Sequence, residues 1–260
     1  MRREIQTNVA DYVPEPVQAY DRISVSYPEI AGRRRKYLDS VDRLIMERIG
    51  GKGGSLLEVG AGDGERALRI AASAGIQEVV LLEPSAGMRS RMKAGPEIWP
   101  IRLEQLDCKQ TPFAGRRFDA ITCLWNVMGH IGSAKARAKA LAQLRQLLAP
   151  DGLLFLDVNH RYNTFSYGFT RTAGRFVWDI VWPGVHHGDV VVNWEYGSSR
   201  RRCSTYGHVF TDREVQRLAR TAGFSVDERI VIDYDEGCIR RFAFQGNLLY
   251  CLRRENPAVN

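Results

Sequence analysis

The chain has 260 residues, 44% of them hydrophobic and 26% charged, and carries a formal net charge of +7. That balance excludes a mostly disordered chain and supplies enough apolar residues for one sizeable core, with or without an inserted cap. No apolar run reaches the roughly 20 residues that a bilayer-spanning helix needs.

In chain order, the opening "MRREIQTNVADYVPEP" is polar, proline-bearing and without the apolar centre of a signal peptide. Apolar residues at Leu38, Val41, Leu44, Ile45 and Ile49 predict an amphipathic helix over 36–49, which "GGKGG" then breaks. Strands are expected at 55–60, 78–83, near 100–106, at 118–125 and at 152–158. Between them the pattern predicts helices at 64–74, from Ser85 to about Gly95, and from Ser133 to Ala149. The strands are continuous apolar runs, as in a parallel sheet covered on both faces.

After Val158 the pattern changes. Residues 159–210 are dense in aromatics, and "DVVVNWEY" and "CSTYGHVF" read as two antiparallel strands around the basic loop "GSSRRR". Thr211 with Glu214 three residues on marks a capping box that opens a helix, and strands near 225–234 and 242–252 follow. The expected layout is an N-terminal helical or lid segment (1–50), a core (51–158), an inserted cap (159–210) and a closing helix with the last two strands (211–260). The aromatics of the insertion are either its own core or a lid over a pocket.

The stretch "LLEVGAGDGERAL" carries the first clue to function. Gly60 and Gly62 fit the first two positions of a dinucleotide fingerprint, but the third falls on Glu65. Glu58, Asp63 and Glu65 would also crowd a pyrophosphate with negative charge. A sulfonium nucleoside, which has no phosphate, fits the turn better.

"LEVGAGDG" resembles the first motif of the class I S-adenosylmethionine-dependent methyltransferases, and "LLEPSAGM", "LEQLDCKQTPF", "FDAITCLWNVMGHI" and "LAQLRQLLAPDGLLFLDV" resemble the four that follow it, in the same order. The resemblance implies an α/β fold, a Rossmann-like doubly wound and mostly parallel seven-stranded sheet with an antiparallel last strand, here with an aromatic-rich insertion after strand five. It implies S-adenosyl-L-methionine as cofactor. Glu58, Gly60, Ala61 and Gly62 would meet its amino-acid end. Glu83 would take the ribose hydroxyls, with Pro84 and Met88 bordering the adenine. Asp107 would accept from the adenine amino group, with the Cys108 backbone facing the ring. Leu124, Trp125 and Asn126 would floor the site. Upstream, "AYDRISVSYPEI" resembles the "YD-x-x-A-x-x-Y" segment of small-molecule members, with Ser24 at the alanine. Tyr20 would then lie over the cofactor, and Tyr27 and Arg33 would line the site, unless both tyrosines serve a helix core.

The acceptor end is less defined. His130, just past strand four, and His208, on the last insertion strand, are the candidate catalytic groups, because a histidine can take a proton near neutral pH. Asn159, at the mouth of strand five, and Tyr162, Tyr167, Trp178 and Trp194 are the candidate substrate walls. His186 and His187 lack a third ligand at useful spacing, and five scattered cysteines form no C-x-x-C pair, so no metal is expected. The expected acceptor is a small molecule methylated at nitrogen or oxygen. The basic clusters leave an RNA or protein acceptor open and less favoured, and a non-catalytic cofactor binder is the third reading. No membrane partner, a cytoplasmic location and a monomer or homodimer complete the expectation.

Overall fold

A computed structural model describes residues 15–51, 53–110, 112–184, 186–197 and 199–255. Nearly all of the polar opening segment lies outside the described residues. The parallel strands are β1 (Ser55–Val59), β2 (Glu78–Leu82), β3 (Glu97–Trp99), β4 (Phe118–Cys123) and β5 (Leu148–Val158). After the strand pair β6 (Asp189–Tyr196) and β7 (Arg201–His208), the chain returns to the main sheet with β8 (Phe224–Ile232), β9 (Ile239–Arg240) and β10 (Asn247–Arg254). The sheet order is β3-β2-β1-β4-β5-β10-β8-β9, and β10 runs antiparallel to both β5 and β8. The fold is thus the expected mostly parallel, Rossmann-like sheet of seven strands, extended by the two-residue β9 at one edge.

Helices cover both faces. On one side, α3 (Arg35–Ile49) and α4 (Glu65–Ala74) bury Val41, Ile45, Ile70 and Ala71 against Leu56, Leu81 and Phe155. On the other, α6 (Ala134–Leu147) and α9 (Asp212–Thr221) bury Leu141, Leu144, Val215 and Ala219 against Leu57, Leu154 and Val231. The apolar runs are explained by this, since each strand meets a helix layer above and below. Ser133 caps α6 by accepting from the Ala136 N–H at 3.1 Å, and Thr211 caps α9 by accepting from the Glu214 N–H at 3.1 Å.

Before β5 two elements depart from the sequence reading, and after it residues 164–181 form helices where none was predicted. The third strand lies at 97–99, not near 100–106, because Pro100 has no N–H to give the ladder. A 3₁₀ turn, Leu103–Gln105, follows in its place. The helix expected from Ser85 to Gly95 shrinks to α5 (Ala86–Arg89), where the Ser90 hydroxyl donates to the Gly87 carbonyl and competes with helix continuation.

Two short helices, α1 (Pro16–Ile23) and α2 (Tyr27–Gly32), precede α3 and lie beside the strand ends. The segment after β5 forms α7 (Thr164–Tyr167) and α8 (Phe169–Val181) and then the β6–β7 hairpin. The hairpin packs on α1 through Ala19, Ile23 and Cys203. Its base is pinned by the buried His208, whose Nδ1 lies 2.7 Å from Asp189 Oδ1 and whose Nε2 lies 3.0 Å from Glu214 Oε1. Among the described residues no helix is long and apolar enough to cross a membrane.

Candidate active site

The site forms where β1, β2 and β4 end. Gly60, Gly62 and Gly64 all take positive φ, at 67°, 60° and 75°. A Cβ on Gly60 would sit 2.5 Å from a Val127 methyl, and one on Gly62 would sit 3.0 Å from the Tyr27 hydroxyl. Only glycine permits both the turn and the close approach.

Two buried carboxyl groups flank this turn. Glu83 ends β2, and its Oε2 accepts from the Gly62 N–H while its Oε1 accepts from the Ser85 N–H, each at 2.8 Å. It therefore ties the two strand-end loops together and still holds free lone pairs. Burial pushes its pKa up to about 7, against the pull of those two N–H donors. Glu58 lies in β1, and burial pushes it up to about 8, opposed by the nearby Arg66. Its Oε2 is buried with no hydrogen-bond partner. Arg66 is itself held by Asp42, whose Oδ1 accepts from Nε at 2.9 Å and Nη2 at 2.7 Å.

At the end of β4, Trp125 and Asn126 both have positive φ, at 53° and 63°. Such residues cost energy unless the surroundings hold them. Asp157 does this: its Oδ2 accepts from the Trp125 N–H at 2.9 Å and its carbonyl from the Asn126 N–H at 3.0 Å. The Tyr37 hydroxyl donates to the other oxygen of the same carboxyl.

These groups enclose a cavity of about 270 Å³. It is walled by Tyr20, Tyr27, Glu58, the 60–63 turn, Arg66, Glu83, Pro84, Leu124, Trp125, Val127 and His130. His130 Nδ1 lies 2.9 Å from the Tyr206 carbonyl, which can only accept, so Nδ1 carries the proton. Nε2 is left as an acceptor, and the Tyr20 hydroxyl, 3.2 Å away, donates to it. Burial lowers the His130 pKa, so the neutral ring persists at pH 7. The Trp194 ring lies behind this pair, its centroid 5.3 Å from that of Tyr20.

Of the residues singled out in the sequence, Tyr20, Tyr27, Glu58, Gly60, Ala61, Gly62, Glu83, Pro84, Leu124, Trp125 and His130 line this one cavity. Met88 is fully buried and stands behind Gly62. The others lie off the cavity wall. Arg33 turns to solvent and pairs with Glu29 at 2.7 Å. Asp107 caps its own turn by accepting from the Lys109 N–H, and the Cys108 N–H is taken by Gln143 Oε1 at 2.9 Å. The early end of β3 instead puts Arg102, Leu103 and Glu104 at the wall. Asn126 spends its side chain on backbone, donating to the His208 carbonyl and accepting from the Asn159 N–H. Asn159 Oδ1 in turn accepts from Asn247 at 2.9 Å.

His208, read as a catalytic candidate, has both ring nitrogens engaged at the hairpin base, away from the cavity. Of the aromatic walls expected from the insertion, Tyr162 is bonded to Asp179 at 2.6 Å, Tyr167 lies under Arg175, and Trp178 stacks on Trp182 in solvent. Trp194 alone approaches the site, in a second layer. Asp63, Glu65, Arg66, Arg69 and Val127 also face the cavity. Asp63 lies inside the glycine turn and Glu65, Arg66 and Arg69 in the first turns of the helix that follows it, which was the available sequence signal for these four. Among the described residues no group of three or more metal-ligating side chains occurs.

A glycine turn after the first strand, an acidic residue at the tip of the second and a cavity across the strand ends are the marks of the class. The family described as a methyltransferase domain matches residues 30–229, and the chain belongs to it, among the class I S-adenosylmethionine-dependent enzymes. A relative from Streptomyces fradiae, a dTDP-3-amino-3,6-dideoxy-alpha-D-glucopyranose N,N-dimethyltransferase, is 28% identical over 233 residues, covering 84% of this chain and 87% of its own. Among solved structures, the CcbJ methyltransferase of Streptomyces caelestis superposes with a TM-score of 0.60 at 15% identity, covering 84% of this chain and 90% of its own. An S-adenosylmethionine-bound amino pentose methyltransferase from Micromonospora echinaspora, involved in calicheamicin biosynthesis, superposes with a TM-score of 0.54 at 19% identity, covering 87% and 96%. At these identities both structures speak for the fold alone.

Proposed function

We propose that this chain transfers a methyl group from S-adenosylmethionine to the nitrogen of an amine on a small-molecule acceptor, an amino sugar being the class to test first. The cofactor brings an activated methyl on a sulfonium and so supplies the electrophile. The protein's part is to hold the cofactor, align the nucleophile, exclude water and manage one proton. The residues fit that ligand. Glu58, buried with an unpartnered oxygen, suits a positively charged group, and Glu83 presents free lone pairs to a pair of hydroxyls.

One observation carries the proton-removal step of this reading, a neutral His130 in the same cavity as the two carboxyls, and the choice of an amine as acceptor follows the Streptomyces fradiae relative. In this reading the Tyr20 hydroxyl oxygen accepts an N–H of the bound amine, and the proton that the new ammonium releases passes to it as its own proton passes to Nε2. The amino-sugar activity named for the Streptomyces fradiae relative supports testing that acceptor class first.

The test is release of S-adenosylhomocysteine with a nucleotide-linked amino sugar and with its hydroxyl counterpart, where a hydroxyl replaces the amine. Turnover is expected with the amine and at least about 100-fold lower kcat/KM with the hydroxyl, since a bound site rejects a poorer nucleophile in the transition state. Equal turnover of both, or turnover confined to RNA or protein, would overturn the reading.

A further inference from the structure

Helix α8 presents the wrong face to water. Phe169, Ala173, Phe176, Val177, Ile180 and Val181 fall on one stripe at the three- and four-residue spacing of a helix face. In a globular protein that stripe turns inward. Here it turns outward: Phe169 is 76% exposed, Ile180 65% and Val177 58%. The opposite, polar face is the one that docks. Thr172 is buried, and Asp179 takes three partners at once, the Arg161 guanidinium at 2.6 Å, the Tyr162 hydroxyl at 2.6 Å and His187 Nδ1 at 2.8 Å.

That network fixes the rotation of the helix about its axis. Turning α8 over would bury the apolar stripe but strip Asp179 and Arg161 of each other, and an uncompensated buried charge is among the costliest defects a fold can carry. The outward stripe is therefore held in place. Phe165, 48% exposed, and Trp182, 60% exposed, extend it at either end.

We propose that this stripe is the contact surface of a homodimer, each copy covering the α8 stripe of the other about a two-fold axis. At exposures between 48% and 76%, Phe165, Phe169, Phe176, Val177, Ile180, Val181 and Trp182 offer on the order of 800 Å² of apolar surface. A standard interface buries about 800 Å² on each partner. An apolar stripe along a helix is self-complementary under two-fold symmetry, which an isologous interface requires. A lipid surface is the poorer occupant. Helices that lie on membranes carry a polar face rich in exposed Lys and Arg, whereas of the two arginines of α8 only Arg171 is exposed and Arg175 lies over the Tyr167 ring.

Sedimentation equilibrium across the micromolar range tests this. The wild-type chain should weigh twice its 29.4 kDa. Ile180→Glu and, separately, Val177→Arg should each weigh one chain, because symmetry places every substitution in the interface twice. Far-ultraviolet circular dichroism should match wild type for both, since neither side chain is buried within a single copy. A wild-type chain of single mass throughout the range, a dimer unmoved by both substitutions, or a single-mass chain that co-sediments with phosphatidylglycerol vesicles would each overturn the proposal.

Discussion

Glu83→Ala is expected to weaken binding of S-adenosylhomocysteine by about 1–3 kcal/mol, or roughly 5- to 150-fold in Kd. The reason is twofold. Glu83 faces the cavity as the acceptor proposed for the ribose hydroxyls, and without it two buried donors of the ligand go unpaired. The same carboxyl also fixes the Gly62 and Ser85 N–H groups at 2.8 Å, so its loss loosens the turn that approaches the ligand. Stability of the free protein should change much less. The two hydrogen bonds lost are offset by removing a group that burial has pushed up to about 7. Isothermal titration calorimetry and a thermal melt separate the two effects. An unchanged Kd would mean that the ribose is held elsewhere.

His130→Asn should lower kcat by about 100-fold or more, the range of general acid–base catalysis, with Kd for S-adenosylhomocysteine unchanged within about twofold. Asparagine can still donate to the Tyr206 carbonyl, as Nδ1 does at 2.9 Å, so the loop should keep its shape. What is lost is the lone pair at Nε2. The pH profile gives the sharper test. Burial lowers the His130 pKa, so the wild-type rate should fall only at a pH below the ordinary titration of histidine, as the ring takes its proton. The variant should lack that acid limb. A full rate in His130→Asn would reduce the ring to a support for Tyr20.

Much of the cavity wall around the glycine turn was legible in the sequence because its chemistry is local. Gly60, Gly62 and Gly64 are required by a turn spelled out in five consecutive residues, and Glu83 stands at the end of an apolar run whose limits are plain. The register of the next motif was not legible. It depends on where β3 stops, and Pro100 stops it early, which brings Arg102–Glu104 to the wall and leaves Asp107 and Cys108 to local hydrogen bonds. His208 misled for a similar reason. Its partners Asp189 and Glu214 come from the opposite strand and the following helix, and no spacing rule shows that a histidine will be sealed between them. Helix α8 was not read in the sequence, where its stretch registered only as rich in aromatics, and which way its apolar face turns was not legible either. That is decided by Asp179 meeting Arg161, Tyr162 and His187.

In the proposed function the carboxyls of Glu58 and Glu83 shape a pocket for a nucleoside that carries an ammonium group. Burial pushes them up to about 8 and to about 7. A bound ammonium and bound hydroxyls favour the ionised forms, so binding releases protons and tightens as the pH rises through these values. The most direct measurement is calorimetric titration of the wild-type chain with S-adenosylhomocysteine at pH 6 and pH 8, with NAD as the control. One site per chain, about tenfold or more tighter at pH 8, with proton release and no heat from NAD, is the predicted result. No binding of S-adenosylhomocysteine at either pH, with NAD taken up instead, would contradict it.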